Sequence, residues 1–439
     1  MIRYNHNILC KGSSYLFSGI ALLLLLPFMT FCAPASGGHG YDIAASAQSR
    51  DTSPQAIQRE LVQLNDGNAN FAFDLYLQLS AAPGNVFFSP FSISEALAMT
   101  YAGARGNTEK QMAQTLHFTL PQERLHPTFN ALDLQLASRP KSDLGDVAQI
   151  QLNIANSLWG QRGTNFLRKF LDVIATNYGA GLNLVDFAGN PDGSRDIINS
   201  WVEEKTQNKI TDLIPPGGIL AATQLVLVDA IYFNGLWQDD FAESATKDGI
   251  FHLIDGGTAT VPMMHQKNAF NYYRGNNFQL VELPYWGREL SMYIILPDEG
   301  KFTEVETTLS GDIFNNAIIS KDIKTVELSM PKCEFTSMFS LKDTLASMGM
   351  PDAFGPADFS GMDGGSGLYI GDVFHKTFVK VNEIGTIAAA ATAVRVDKGE
   401  GFGPPDVVEF NMDRPYIFVI RDNPTGAILF AGRVLNPAE

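Results

Sequence analysis

The sequence predicts an α+β fold in one large domain, and three observations lead there. Apolar residues at helical spacing and at strand spacing are interspersed without a regular strand–helix–strand succession, which argues against a parallel α/β sheet. No internal repeat appears. The chain has 439 residues, 45% apolar and 18% charged, enough to bury a sizeable core, and no linker interrupts residues 59–439.

Residues 1–35 have the make-up of a targeting leader. Arg3 and Lys11 give a positive start, and Ile20–Phe31 is an apolar run, broken by Pro27, too short to span a bilayer. Two exits fit it. Ala33-Pro34-Ala35 suits a signal peptidase that would release a chain starting at Ser36. Otherwise Cys32 would carry the lipid of a bacterial lipoprotein and anchor it to the membrane, although Phe31 is bulky for that site. Both exits mean export, to the periplasm or outside the cell. Residues 36–58 read as a polar linker. Cys10 and Cys32 lie in the leader, so Cys333 is alone in the domain and reads as a buried small hydrophobe in a fold held by core packing. The net charge of −16 lacks the basic footprint of a nucleic-acid binder and disfavours anionic membranes.

The elements follow in order. Ala72, Leu75, Tyr76 and Leu79 give residues 59–79 a core-facing helical stripe. A short strand at 85–88 leads into a second helix. There Ser92 and Glu95 have capping-box spacing, and Ile93, Ala96, Leu97, Thr100, Tyr101 and Ala104 form the stripe. Asn107-Thr108-Glu109 opens a helix to about Leu116. Residues 149–159 read as a strand, 165–178 as a helix, 182–186 as a short strand and 196–206 as a helix with Ile198, Trp201 and Val202 inward. Leu225–Phe233 is a continuous β-branched and aromatic run, hence a strand buried on both faces. Further strands are predicted over 251–264, 279–285, 290–297, 325–335 and 373–381, with a helix over 341–348.

The stretch Glu383–Phe410 stands apart. From Gly385 to Asp397 it alternates, with Thr386, Ala388, Ala390, Thr392, Val394 and Val396 on one face. Its alanines are poor strand formers and good helix formers, so a strand and an Ala-rich helix both fit. Lys398-Gly399-Glu400-Gly401-Phe402-Gly403-Pro404-Pro405 then forms an irregular loop.

Catalytic signatures are missing. The sequence has no Gly-x-Ser-x-Gly elbow, no His-Glu-x-x-His, no P-loop, and no two of its seven histidines at metal-ligand spacing. The glycines at 399, 401 and 403 mimic a phosphate loop, but Pro404 and Pro405 stand where a helix must start. Neither an enzyme nor a cofactor- or metal-binding protein is expected. One polar residue is out of place. Asp229 sits midway along an apolar run, where a carboxylate requires a partner.

Lys380-Val381-Asn382-Glu383-x-Gly385-Thr386, with Ala388–Ala391 and Thr392-Ala393 behind it, closely resembles the reactive-loop hinge of inhibitory serpins. Phe410-Asn411-x-Asp413-Arg414-Pro415-Tyr416 resembles the signature beyond that loop, and Ile428–Pro437 resembles the serpin C-terminus. The resemblance covers Arg59 to the end. It implies a large, mostly antiparallel central sheet, further smaller sheets, surrounding helices and an exposed reactive loop. It also implies a monomer that traps a serine or cysteine protease covalently, or, in a non-inhibitory member, a binding or carrier protein. The hinge would be Glu383, Gly385, Thr386, Ala388, Ala390 and Thr392, small on the inward face, with Ile387 replacing the family's usual Glu on the outward one. The family's spacing places the cut at Gly399-Glu400, while a longer span to Phe410 leaves Lys398 and Phe402 open. Ser89, Ser92, Asp229 and His375 match the shutter, where the central sheet parts. Trp237, Lys332 and Glu383 match the breach, where the loop first enters. Serpins usually carry Asn in place of Asp229. An Asp–His pair favours the imidazolium, so sheet opening is expected to depend on pH between neutral and mildly acidic conditions.

Overall fold

The computed structural model describes residues 40–139, 150–386 and 407–439. From its start the chain forms β1 (Asp42–Ala44), α1 (Gln58–Leu79), β2 (Val86–Phe88), α2 (Pro90–Tyr101), α3 (Gly106–Thr115), α4 (Gln122–Ala137), β3 (Ile150–Gln161), α5 (Arg168–Tyr178), β4 (Leu182–Val185) and α6 (Pro191–Lys205). The middle holds β5 (Leu225–Leu236), β6 (Lys247–His252), β7 (Thr258–Arg274), β8 (Phe278–Pro284), β9 (Leu290–Pro297), α7 (Phe302–Thr308) and α8 (Gly311–Ile319). Then come β10 (Asp322–Pro331), β11 (Cys333–Ser340), α9 (Lys342–Met348), α10 (Ser360–Asp363), β12 (Ile370–Val381), β13 (Gly385–Thr386), β14 (Val407–Asn411), β15 (Tyr416–Asp422) and β16 (Ile428–Val434).

Seven strands form the central sheet in the order β1-β4-β3-β5-β13-β12-β11. A nine-stranded sheet runs β14-β10-β7-β8-β9-β15-β16-β2, with β6 on β7. The long β7 joins its two halves, pairing with β6 over residues 258–263, with β10 over 263–272 and with β8 over 271–274. Strand β5 is buried on both faces, and its alternation sorts its neighbours. Val226 and Val228 pack with Ile198 and Val202 of α6, while Leu225, Leu227, Ile231 and Phe233 join the larger core shared with α2 and the second sheet. Asp229 falls on the α2 side of that alternation.

Four sequence expectations change. Helix α2 starts earlier than a Ser92 cap implies. Ser89 is its N-cap, accepting from the Ser92 N–H at 3.2 Å, and Pro90 takes the first helical turn, where a missing N–H costs nothing. Residues 251–264 are a hairpin, because Asp255-Gly256-Gly257 turns the chain between β6 and β7. Residues 325–335 are two strands in two sheets, with Lys332 as the crossing residue. Finally, the stretch read as a linker is packed from residue 40 onward. β1 pairs antiparallel with β4, Tyr41 meets the Trp159 ring edge-on at 5.2 Å, and Arg50 bonds Asn130 and Asp133 of α4. Helix α4 was not anticipated, because Pro127 interrupts its Leu125, Phe129, Leu132 and Leu136 stripe. No helix among the described residues is long and apolar enough to cross a membrane.

Candidate functional site

The site is the seam between β5 and β12. From Leu225 to Tyr232 the two strands pair directly and in parallel, with His375 level with Asp229. Asn156 of β3 sits at the same level on the other side of β5. The N-terminus of α2 comes down on this point. The Ser89 N–H donates to His375 Nε2 at 3.0 Å, and the Ser92 hydroxyl makes a short hydrogen bond to Asp229 Oδ1. Asn156 donates to the Ser92 carbonyl oxygen and to Glu95 Oε2, extending the chain of contacts under the helix. Ser89, Ser92, Asp229 and His375 are all buried. The carboxylate thus gains a hydroxyl donor and the positive end of a helix. His375 Nδ1 lies 3.0 Å from Asp229 Oδ2, off the line of a full hydrogen bond. The His375 ring thus meets the Ser89 N–H at Nε2 and faces the Asp229 carboxylate through Nδ1.

Beyond Tyr232 the strands separate and β13 occupies the gap. Gly385 pairs with Leu236 and Thr386 with Gly235, while Thr386 also pairs with Val381 of β12. The approach to this strand is held from all sides. Asn382 Oδ1 accepts from the Ile384 and Gly385 N–H groups, and the Trp237 indole donates to the Asn382 carbonyl oxygen at 3.0 Å. The Trp237 N–H reaches the Ile384 carbonyl and the Phe241 N–H the Glu383 carbonyl. Lys332 Nζ sits 2.9 Å from Glu383 Oε2, and the Thr246 hydroxyl donates to Oε1 at 2.8 Å. Burial would raise the Glu383 carboxyl, but the Lys332 ammonium, its own backbone N–H and the Thr246 hydroxyl outweigh it and hold it below the usual range. Thr386 is buried, and its hydroxyl lies 2.9 Å from that of Tyr285.

The sheet is thus closed along most of one seam and parted at its end by the two-residue β13. The family model for serpins (serine protease inhibitors) matches residues 66–437. The chain is a serpin. An uncharacterized serpin-like protein of Thermococcus kodakarensis is 41% identical over 84% of this chain and 85% of its own length. The leukocyte elastase inhibitor of Homo sapiens is 39% identical over 85% of this chain and 100% of its own. Among solved structures, the native state of tengpin, a thermophilic serpin, superposes with a TM-score of 0.76 at 29% identity, covering 90% of this chain and 97% of tengpin.

In this serpin the structure brings Ser89, Ser92, Asp229 and His375 together, and likewise Trp237, Lys332, Glu383, Gly385 and Thr386. Ala388, Ala390, Thr392, Lys398, Gly399, Glu400 and Phe402 lie outside the described residues, as do Cys32 and the leader. Sequence reading missed Thr246, Asn156 and Tyr285, and read Glu95 only as a capping-box partner of Ser92, where the structure has it accept from Asn156. Cys333 is buried, with its thiol pushed up to about 12 by that burial, as suits a core residue. Among the described residues no group of three or more His, Cys, Asp or Glu is placed to hold a metal ion.

Proposed function

We propose that this serpin inhibits a serine or cysteine protease by presenting itself as a substrate and then refolding around the cut. The protease attacks the loop beyond Thr386 and forms an acyl-enzyme. Loop insertion is the established switching transition of serpins as a class, and that step is taken from the family. The freed segment enters between β5 and β12 as a full strand. The attached protease is carried to the far end of the sheet and distorted before it can deacylate. The serpin acts as an exported monomer, either released at Ser36 or held by a lipid on Cys32.

The observation that supports this reading is β13. Two loop residues already occupy strand positions between β5 and β12, with Thr386 facing inward. Continuing the alternation points Ala388, Ala390 and Thr392 inward as well and Ile387 outward, so the inserted face carries no charge and little bulk. Incubation with a panel of serine and cysteine proteases should give an SDS-stable complex. Nicking near residue 400 should raise the melting temperature markedly. Free cleaved chain alone, melting where the intact protein does, would overturn the proposal and favour a non-inhibitory binding or carrier serpin. The mass of the released C-terminal fragment distinguishes cleavage at Lys398, Gly399, Glu400 or Phe402, and the mass of the mature N-terminus distinguishes the two leader exits.

A further inference from the structure

We infer that Tyr285 is a positioning residue for loop insertion, its hydroxyl pinning Thr386 and so fixing the register in which the loop enters the sheet. This rests on the trapping mechanism proposed above and adds to it a residue from outside the central sheet. Tyr285 follows β8 and is held by its backbone, its N–H donating to the Leu290 carbonyl and the next N–H, of Trp286, to the Leu236 carbonyl. Its ring lies between two others. It stacks on Trp237 with centroids 4.7 Å apart and planes 12° from parallel, and meets Phe233 edge-on at 5.0 Å. The side chain is fully buried, so a hydroxyl there requires a partner, and the partner is Thr386 Oγ1 at 2.9 Å.

The position of this bond gives it its consequence. Thr386 already sits at its strand rung, paired on both sides, so the bond need not break as residues beyond 386 follow. A slip of one residue would present Ile387 to the Tyr285 hydroxyl and turn the small face of the loop outward. The pin therefore discriminates between the two registers at the first inward residue. The backbone allows for it too. A Cβ on Gly235 would come within 2.7 Å of the Phe233 ring and 2.9 Å of the Tyr285 ring, so glycine there keeps the rings beneath β13.

The test compares Tyr285→Phe, Thr386→Val, the double variant and Thr386→Ser in the full chain, with two readouts. Native-state hydrogen exchange of the Gly385–Thr386 segment reports the pin without any protease. Each hydroxyl deletion should speed exchange there roughly three- to tenfold, as expected for one buried hydrogen bond. The double variant should be no faster than either single, and Thr386→Ser should resemble the parent. With a trapped protease, the fraction of serpin released as cleaved product should rise in the same rank order. Unchanged exchange in Tyr285→Phe would overturn the pin, as would single effects that multiply in the double variant. Faster exchange spread evenly over β5 and β12 would also overturn it, showing a merely structural tyrosine. If the parent traps no protease, the trapping mechanism fails while exchange still decides the pin.

Discussion

From Leu225 to Tyr232 strand β5 lies directly against β12, whereas from Gly235 onward the same two strands stand apart with β13 between them. The closed region is buried and polar at its centre, where Asp229 and His375 tie two strands to Ser89 and Ser92 at the start of α2. The parted region is built from glycines, stacked rings and a half-exposed ion pair. The comparison assigns different work to the two ends. In the proposed trapping mechanism one is a lock whose contacts must be broken, the other is a slot for the entering strand, and insertion would run from slot to lock.

The largest effect should come from filling the slot with charge. Thr386→Arg buries an unpaired cation, a loss on the order of 3–5 kcal/mol by comparison with broken buried pairs, and should turn the inhibitor into a substrate. Gel analysis of complex against cleaved product checks this, and undiminished complex would refute the inward facing of residue 386. Gly385→Ala comes next. A Cβ there collides with the Gly235 carbonyl oxygen, and neither backbone can give way easily. About 1–3 kcal/mol of overpacking should expel β13, seen as lost exchange protection at 385–386 and lower complex yield.

Asp229→Asn addresses the lock. Asp229 faces the His375 ring inside the buried seam, on the side away from the Ser89 N–H. Glu95, linked through Asn156 and Ser92, is the other carboxylate on this network. Sheet opening is expected to depend on pH between neutral and mildly acidic conditions, and the Asn variant should flatten that dependence by severalfold in rate. An unchanged pH profile of insertion would remove Asp229 from the switch.

The smallest effects, on the order of 1–2 °C in melting temperature, separate the two regions by sign. Glu383 at the slot is held below the usual carboxylate range, so its stabilisation is present above that range and lost as pH falls through the lowered value. Glu95 at the lock is pushed well above the range by burial and by the charge of Asp133, so its contribution is present in acid and lost as pH rises. Glu383→Gln should blunt the acid loss, and Glu95→Gln should raise stability on the alkaline side. Melting curves across pH check both, and matching profiles for the two variants would erase the contrast.

Asp229 was legible in the sequence because it interrupts an apolar run and so announces a partner, while Ser89, Ser92 and His375 were named through the family resemblance. The hinge was legible through its motif, and its inward facing through period-two alternation. Tyr285 was not, since a tyrosine at a strand end reads as ordinary core until the element opposite it is known. Thr246 and Asn156 likewise acquire meaning only from residues far away in the chain. The break at Lys332 was overlooked although the apolar alternation changes phase there, from Val326, Leu328 and Met330 to Cys333 and Phe335. The cap of α2 was misplaced because two serines three apart both suit it, and the Ser92 N–H donating to the Ser89 hydroxyl distinguishes them.

The three-residue β1 covers the outer flank of β4, with Arg162 and Asp42 paired across the join and Tyr41 over Trp159. A shortened protein beginning at Arg59 would bare that margin, leaving unpaired amides and carbonyls beside an uncovered indole. Such a fragment would be prone to self-association, so soluble expression calls for a start before Tyr41.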